Sequence, residues 1–434
     1  MHKRHNWGKS QIWFPKEIIY PKSLEELRQA IHEAKSKHLK IRLAGSLHSL
    51  NALCTTNDIQ IHTDKLNQVL FLDEKNLKVK VQGGIKIKTL LSFLAKYNLT
   101  LPNQGYIAEQ TIAGAIATAT HGSGNTGTMS SFVEELELLD ANGFLHTLSP
   151  SINEHWFSAA VVNLGCLGIV YSLTLRCIPL VKLHLTKVKS DLNTTLKKLP
   201  EFLQKYEYFQ FFIDPYSNMT LCWLYQKTDE KIKRRLIYNL HWILNKTLAV
   251  LSFDFFSPPW WLMPFMIKTY MHTSSLRSCV DFSYRLLSPA DEGHYVEEEI
   301  AVPFEHFKEA LSVTREIINK HSAQKKRIVA VILIRFATSD RYGYLSPAAE
   351  RKTAYISLIT IAKTGYQDLF KEIETSLYQY QGRPHWGKTN FLTQPIVSQL
   401  YGTKYLQFSQ VQNELDPSCL FLNNYMNIRL RIRD

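Results

Sequence analysis

The sequence predicts an α+β fold whose first 178 residues alternate short helices and strands and whose remainder is built on long strands. Three features support this prediction: a Ser-x-x-Glu capping box at 23–26, an Asn-Gly pair at 142–143 between two extended arms, and period-two strands beyond residue 180. Long strands separated by amphipathic helices indicate a second domain, with one antiparallel sheet and its helices on one face.

In the first part, helix and strand signals follow one another at short intervals. The capping box formed by Ser23 and Glu26 begins a helix in which apolar residues recur at helical spacing. Alternation of apolar and polar residues at 58–62 and 77–82 is typical of half-buried strands. The other predicted elements are strands at 40–44 and 169–177, a hairpin at 135–148 and a helix at 88–98.

Beyond residue 180 the predicted elements become longer. Amphipathic helices near 304–320 and 366–380 separate the strands. These strands are expected at 207–213, 219–225, 296–302, 329–337 and 353–362. The last stretch, 395–434, starts with a helical pattern and is expected to return to the first domain.

Composition excludes several classes of protein. A chain of 434 residues with 45% hydrophobic and 21% charged residues is typical of a globular protein of two or three domains. The net charge of +13 favours an acidic partner, but the cations are spread out, so we expect no nucleic-acid partner. Six scattered cysteines and an N-terminus without an apolar segment predict a cytoplasmic protein with no disulfide or metal site.

One apolar stretch, 247–267, could contact a membrane. Asp254 and three prolines interrupt it, so its longest uncharged run is too short to span a bilayer. Cations lie on both sides of it, and the region 230–271 could therefore rest on an anionic membrane surface as a peripheral contact. A buried helix pair or a subunit interface explains the same pattern equally well.

Two loops of small residues indicate a bound cofactor with a diphosphate. The first, Gly45-Ser46-Leu47-His48-Ser49, follows a predicted strand and ends beside a histidine that could reach a cofactor ring. The second, 111–127, lets backbone N–H groups and the hydroxyls of Thr118, Thr120 and Ser123 approach a phosphate closely. A lone histidine after a turn is more often structural, but its place in this loop favours a functional role for His48.

The second loop contains a literal GxGxxG at 122–127. That motif binds nicotinamide dinucleotides only where it follows a strand and opens a helix. Here no apolar strand precedes it and a hairpin pattern follows, so the sequence argues against such a site. Far downstream, Arg383, His385 and Lys388 surround Trp386 within seven residues, which indicates a polar site beside a redox cofactor.

Four motifs, in order, resemble those of the sugar-lactone oxidases of the FAD-linked vanillyl-alcohol oxidase superfamily, the group of D-arabinono-1,4-lactone oxidase, L-gulonolactone oxidase and alditol oxidase. They are 45–49 (GSLHS), 112–124 (IAGAIATATHGSG), 164–168 (LGCLG) and 383–388 (RPHWGK), of which the last is the most specific. The resemblance covers nearly the whole chain.

The resemblance implies a bipartite FAD-binding domain at 1–178, with subdomains of about 14–75 and 76–178. It also implies a cap domain at 179–394 that covers the flavin ring, and a C-terminal segment at 395–434. FAD is expected to be covalently attached through His48. The residues expected to hold it are Gly45, Ser46, Leu47, His48, Ser49, Gly114, Thr118, His121, Gly122, Ser123, Gly168 and Ile169.

Two positions depart from the family pattern. In the cap, a Glu-x-Arg strand motif keeps its arginine as Arg335, but Leu333 replaces the glutamate that contacts the substrate hydroxyl. Losing a hydrogen-bond acceptor should loosen or redirect substrate selectivity. Ala119 stands where relatives commonly have glycine, which leaves open whether the flavin reacts with O2.

The resemblance implies an FAD-dependent oxidoreductase that oxidises a CH–OH group of a sugar-derived lactone, polyol or related sugar. Hydride passes to flavin N5, and O2 or a membrane electron carrier reoxidises the flavin. Arg335 and Lys388 are expected to stabilise negative charge near flavin N1, and His385 to handle the proton. The alternative for Arg335 is an ion pair with Asp340 or a cap carboxylate, and for His385 it is packing against Trp386.

Alternative interpretations apply to one acidic run and to the function. The run 297–299 (EEE) reads as a solvated strand edge, although one member could supply the carboxylate missing at position 333. One alternative function is a flavin dehydrogenase acting on a lipid-linked or nucleotide-linked sugar. Another is a flavin-binding electron-transfer protein whose substrate site has decayed.

Overall fold

The computed structural model describes residues 2–233, 261–275, 278–288, 294–324, 329–360 and 365–431. Within these ranges the strands form a two-stranded ribbon near the N-terminus, a three-stranded, a five-stranded and an eight-stranded sheet, and a further two-stranded pair. The α+β prediction is confirmed. The domain bounds given above stay a prediction.

The three-stranded sheet is parallel and follows the N-terminal ribbon in the chain. It has the order β3-β5-β4, and helix α1 connects β3 to β4. Ser23 accepts a hydrogen bond from the Glu26 amide, as the capping box predicts, while Glu26 accepts from the Lys22 amide. The elements are β1 (Arg4–His5), β2 (Ile12–Trp13), β3 (Glu17–Ile19), α1 (Leu24–Ser36), β4 (Ile41–Ala44) and β5 (Ile59–His62).

Strand β5 corrects one expectation. It was expected to be half-buried, but all four of its residues are buried because it is the central strand of this sheet. Its polar Gln60 is accommodated by donating a hydrogen bond to the Cys54 carbonyl, 2.8 Å away.

The five-stranded sheet is antiparallel, in the order β10-β9-β11-β7-β6. The hairpin predicted around Asn142-Gly143 joins β9 to β10, and Gly143 adopts a φ of +83° that its turn requires. The elements are β6 (Val69–Asp73), β7 (Lys78–Gln82), α2 (Ile87–Ala95), β8 (Leu99–Thr100), α3 (Ile112–Ala117), β9 (Val133–Leu139), β10 (Leu145–Leu148), α4 (Glu154–Ala160), β11 (Ile169–Arg176) and β12 (Ile178–Pro179).

The eight-stranded sheet is antiparallel throughout, in the order β16-β13-β15-β14-β18-β19-β17-β20. Its strands are β13 (Lys182–Asp191), β14 (Tyr208–Ile213), β15 (Met219–Lys227), β16 (Ser278–Phe282), β17 (Val296–Pro303), β18 (Val329–Ala337), β19 (Thr353–Thr360) and β20 (Arg383–Pro384). The helices of this region are α5 (Leu192–Lys205), α6 (Met263–Ser275), α7 (Ser283–Leu287), α8 (Phe307–Ala323) and α9 (Gln367–Leu377).

One face of this sheet packs against α5, α8 and α9 in an apolar core. Helix α6 lies on the other face, where the sequence predicts no helix. The other face divides into two parts. Near β13 and β15 it is aromatic and apolar, and α6 packs on it through Ile267 and Met271. Near β17, β18 and β19 it carries buried polar side chains, which form the site described below.

The C-terminal segment returns to the first part of the chain, as predicted. It forms α10 (Gln394–Tyr401), α11 (Thr403–Leu415) and α12 (Asn424–Leu430). The amide of Ile41 donates to the carbonyl of Leu420 at 2.9 Å. The buried guanidinium of Arg42 donates to the carbonyls of Leu53, Leu164, Gly165 and Phe421, which ties β4 to two distant segments.

The apolar stretch 247–267 lies largely outside the described residues, which resume at Trp261. In α6, Met263 and Ile267 are buried, whereas Trp261 and Phe265 beside them are exposed. Among the described residues, no helix combines the length and the hydropathy needed to cross a membrane.

Candidate active site

The loop 45–49 leaves β4 and packs against the start of α3. A Cβ on Gly45 would lie 2.1 Å from the Thr111 hydroxyl oxygen, so only glycine allows this approach. The Ser46 hydroxyl donates to the Glu109 carbonyl at 2.5 Å. The two small-residue loops of the sequence are therefore neighbours in space, as a shared diphosphate would require.

His48 stands at the end of this loop in a partly enclosed position. Its ring lies 5.3 Å from the Trp7 ring, and its buried Nδ1 has no hydrogen-bond partner among the described residues. Burial, together with the positive charge of Lys388, lowers the pKa of His48 to about 4. The imidazole is therefore neutral at pH 7, with a nitrogen lone pair available for bonding.

The same loop touches the Arg383–Lys388 motif directly. The amide of Leu50 donates to the Gly387 carbonyl at 2.8 Å, and the Asn51 side chain donates to the carbonyls of Trp386 and Lys388 at 2.7 and 2.6 Å. Trp386 stacks on Tyr401 with ring centroids 5.9 Å apart. The downstream motif and the first glycine loop thus form one site.

The three consecutive glutamates of β17 correct the sequence-based interpretation. They do not form a solvated edge, because Glu297, Glu298 and Glu299 are each at most 3% exposed. Glu297 and Glu299 point to the polar face, where they form ion pairs with Lys388 and Arg335. A buried charge needs such a partner, so the four groups neutralise one another in pairs.

Glu298 points to the opposite, helix-covered face. There it meets Glu374 of α9, and burial beside this second carboxyl raises the pKa of Glu298 well above its usual range. Glu374 accepts hydrogen bonds from the amide of Phe391 and from the Tyr378 hydroxyl. Burial therefore favours the neutral form of Glu298, which belongs to the core of the sheet rather than to the polar site.

His121 and His385 complete the polar cluster beside Glu299. His121 stacks on Tyr355, with ring centroids 3.4 Å apart, and its Nε2 lies 3.3 Å from Glu299 Oε2. Burial lowers the pKa of His385 to about 3, and burial also lowers that of His121, against the opposing charge of Glu299. Both rings are neutral at pH 7.

One donor atom from each of His121, Glu299 and His385 lies within 4.8 Å of the others, a spacing that a metal ion could use. One contact argues against that use. The Gly387 amide donates to His385 Nδ1 at 3.0 Å, so the neutral ring carries its hydrogen on Nε2 and offers no free lone pair. The cluster is better suited to proton transfer and hydrogen bonding.

The other expected cofactor contacts are distributed around this centre. Thr118 donates to the Gly114 carbonyl at 3.1 Å, and Ser123 donates to the Phe209 carbonyl, which joins the second loop to β14. Gly168 has a φ of +147°, and a Cβ there would meet the Leu139 carbonyl. The side chain of Ile169 lies in the core beside α1, so only its backbone could face a cofactor.

A polar pocket adjoins the cluster at Arg335. It is small, with closed space for about one water molecule, and lies between the loop at 103–106 and the eight-stranded sheet. The sequence alone does not predict this pocket, although polar residues at 208 and 210 alternate with phenylalanines in β14. Its lining includes Asn103, Gln104, Tyr106, Tyr208, Gln210, Tyr225 and Arg335.

Comparison with known proteins agrees with this geometry. A family model described as D-arabinono-1,4-lactone oxidase matches residues 173–429, and one described as FAD binding domain matches residues 15–149. The L-gulono-1,4-lactone dehydrogenase of Mycobacterium tuberculosis is 31% identical over 97% of both chains. This chain belongs to the D-arabinono-1,4-lactone oxidase family.

Other relatives agree with the family assignment. The L-gulonolactone oxidase of Mus musculus is 29% identical over 97% of this chain and 96% of its own. The crystal structure of cholesterol oxidase from B. sterolicum has the same fold, with a TM-score of 0.85 at 15% identity over 99% of this chain and 96% of that one. The protein is an FAD-linked oxidoreductase of the D-arabinono-1,4-lactone oxidase family, as the sequence motifs indicate.

The residues of this family member fit FAD. The unpartnered Nδ1 of His48 is suited to a covalent bond. The lack of space for a Cβ at Gly45 keeps the first loop close to Thr111, and at Gly122 it keeps the second loop close to Asn103 and Gln104. Two carboxylates of the site, Glu297 and Glu299, were expected on a solvated strand edge. Their place in the middle of an apolar strand does indicate a paired, buried site, because charged residues are buried in such strands only when they are paired.

Proposed function

We propose that this protein oxidises the CH–OH carbon of a sugar-derived lactone or polyol. FAD, when bound, supplies the hydride acceptor, and its oxidised form is regenerated by O2 or by a membrane electron carrier. The observation that carries this proposal is the meeting of two buried ion pairs and two neutral histidines beside the His48 loop. Such a site can bind hydroxyl groups, exclude water and hold a proton.

In this proposal Arg335 and Lys388 orient the substrate and stabilise negative charge that develops during hydride transfer. Each is held by a buried carboxylate, so each presents its remaining N–H groups in a fixed direction. The amide and tyrosine side chains around Arg335 would contact the sugar, because they suit its hydroxyls and its apolar carbon faces. Leu333 makes one side of that site apolar, which favours a substrate with fewer hydroxyls there.

The covalent bond to FAD would form at His48 Nδ1. Its support is the neutral state of the ring and the absence of a hydrogen-bond partner for that atom among the described residues. Wild-type protein precipitated with acid should stay yellow, and His48→Ala should release its colour into the supernatant. His32→Ala, a change on the exposed surface of α1, is the matched control and should keep the colour. Free release of flavin from the wild type would contradict the covalent assignment.

The main test is anaerobic bleaching of the flavin by a panel of sugar lactones, polyols and sugar acids. At least one lactone or polyol should reduce the flavin within seconds to minutes, and admission of air then shows whether O2 reoxidises it. A protein that no member of the panel reduces would not have the proposed activity.

The electron carrier would be reached through a peripheral membrane contact of the 230–271 region. The exposed Trp261 and Phe265 support this part of the proposal, because aromatic side chains insert at the membrane interface. Flotation with anionic vesicles should retain the wild type and lose a Trp261→Ser, Phe265→Ser double variant. Equal flotation of both proteins, or of neither, would argue against this contact.

A further inference from the structure

We propose that His121, supported by Glu299, receives the proton that leaves the substrate hydroxyl, while His385 acts only as a hydrogen-bond donor. This inference rests on the proposed function and assigns a step within it. It exchanges the roles expected from the sequence, where His385 handles the proton and His121 contacts the cofactor.

The hydrogen bond of His121 fixes which of its nitrogens can accept a proton. Its Nδ1 lies 2.9 Å from the Gly122 carbonyl oxygen. A carbonyl only accepts, so Nδ1 carries the hydrogen and the lone pair of the neutral ring is on Nε2. That Nε2 faces Glu299 Oε2, and neither atom has a hydrogen-bond donor among the described residues. Two acceptor atoms that face each other repel, and a proton bound between them removes this repulsion.

His385 has the opposite polarity. Its Nδ1 accepts a hydrogen bond from the Gly387 amide at 3.0 Å, so the hydrogen of the neutral ring is on Nε2. Burial, with a contribution from the nearby cations, keeps its pKa at about 3. His385 can donate a hydrogen bond to a substrate oxygen, but it cannot take up a proton at neutral pH.

Glu299 is held so that one oxygen is reserved for His121. Arg335 and Ser357 both donate to Oε1, the latter at 2.5 Å, and Oε2 is left to face the imidazole. Burial raises the pKa of Glu299, but the positive charge of Arg335 counters it and holds that pKa well below its usual range. The carboxylate therefore stays ionised and stabilises a protonated His121.

The strand register shows how this carboxylate compensates for Leu333. Leu333 of β18 pairs with Ser357 of β19, and Ser357 pairs with Glu299 of β17. The three side chains form one row across the same face of the sheet. A carboxylate that is absent at position 333 is thus present two strands away in the same row, and Ser357 bridges the gap.

The proposed step converts the CH–OH group of the substrate into a carbonyl group. The C–H bond of the substrate breaks and its hydrogen leaves with the electron pair as hydride to FAD. The O–H bond breaks, its electron pair forms the second bond between carbon and oxygen, and the proton moves to Nε2 of His121. The resulting imidazolium donates its new N–H to Glu299 Oε2, which stabilises its charge; in a catalytic triad, by contrast, the carboxylate holds the opposite ring nitrogen. The other groups that face Glu299 are Arg335, His385 and Tyr355, with the Glu297–Lys388 pair beside them.

The test is the pH dependence of anaerobic flavin reduction in the holoenzyme. Wild-type protein should show an acid limb below the ordinary imidazole pKa of about 6.5, because a protonated His121 cannot accept a second proton. His121→Gln should slow flavin reduction by at least about a hundredfold and abolish the acid limb. Glu299→Gln should slow it and move the limb to lower pH, since the imidazolium loses its carboxylate.

Glu298→Gln is the matched control, one residue away on the opposite face. It should keep the rate and the acid limb of the wild type, because a protonated carboxyl and an amide have similar shape and hydrogen bonding. Each variant is compared at equal bound flavin and with an unchanged visible spectrum, so that a structural defect is recognised.

Several outcomes would overturn the inference. A His121→Gln protein with the wild-type rate and pH profile would do so, as would loss of the acid limb in His385→Gln alone. If the histidine variants do not fold, wild-type reduction without an acid limb is sufficient to reject it. A stoichiometric divalent metal whose removal by chelator abolishes reduction would also reject it. Failure of the proposed function is distinguishable, since wild-type flavin would then resist every lactone and polyol.

Discussion

Replacement of Arg335 by methionine tests the buried ion pair at the centre of the site. Arg335 and Glu299 have side chains only 7% and 1% exposed, so water cannot compensate for the lost guanidinium. Removing one partner of a buried pair costs about 3–5 kcal/mol, because the other charge stays buried without compensation. We expect Arg335→Met to lower the free energy of unfolding by about this amount, measured by urea unfolding followed through tryptophan fluorescence.

The pH dependence of this loss has a definite sign. In the wild type, Arg335 holds the pKa of Glu299 in the folded state below its unfolded-state value of about 4.3. The pair therefore stabilises the fold above about pH 4.3, and this stabilisation is lost as the pH falls through the folded-state pKa. In Arg335→Met, burial raises that pKa instead. The difference between variant and wild type should therefore be largest near pH 8 and should shrink toward about pH 5.

A double variant isolates the interaction. Arg335→Met combined with Glu299→Gln removes the uncompensated charge and should recover about 2 kcal/mol relative to the single variant. Lys16→Met, which breaks the exposed pair with Asp58, is the control and should cost about 1 kcal/mol or less. A loss below about 1 kcal/mol in Arg335→Met, or a double variant no more stable than the single, would refute the reasoning.

Three further predictions concern other parts of the chain. Arg42→Met should cost about 3 kcal/mol or more in urea unfolding, because four carbonyl groups lose a charged donor, although that of Leu53 also accepts from Asn423; a smaller loss would mean that water replaces the guanidinium. Ala119→Gly should remove up to about 1 kcal/mol of strain at a φ of +55° and speed flavin reoxidation by air; an unchanged reoxidation rate would separate this residue from O2 reactivity. Leu333→Glu should destabilise the fold by about 2 kcal/mol because it places a carboxyl in an apolar cluster, and the loss should be greater at high than at low pH. A drop in melting temperature, relative to the wild type, that is the same at high and low pH would contradict this.

Much of the fold was predictable because local signals and tertiary structure agree. The capping box at Ser23, the turn at Gly143 and the long period-two strands each act over a few residues, and each appears where the pattern places it. Strand β13 and helix α5 are not predicted by the sequence. The strand carries four lysine or histidine residues among its ten, which weakens the apolar alternation of a strand, and the helix contains Pro200, which is rare inside helices.

The site was only partly predictable because its charges are paired over long sequence distances. The three glutamates of β17 look solvated when read alone. They are buried because Arg335 and Lys388 arrive from β18 and from the segment after β20, 36 and 91 residues away. The opposite polarity of His121 and His385 depends on single backbone contacts, which residue identity does not reveal.

The central claim is that a flavin bound beside His48 accepts hydride from a sugar-type hydroxyl at the Arg335–Glu299 cluster. Anaerobic addition of sugar lactones to the purified yellow protein tests this most directly, with absorbance at the flavin maximum as the signal. We expect bleaching by at least one lactone in the wild type and bleaching at least about a hundredfold slower in Arg335→Met at equal flavin content. Bleaching at the same rate in both proteins, or in neither, would contradict the account.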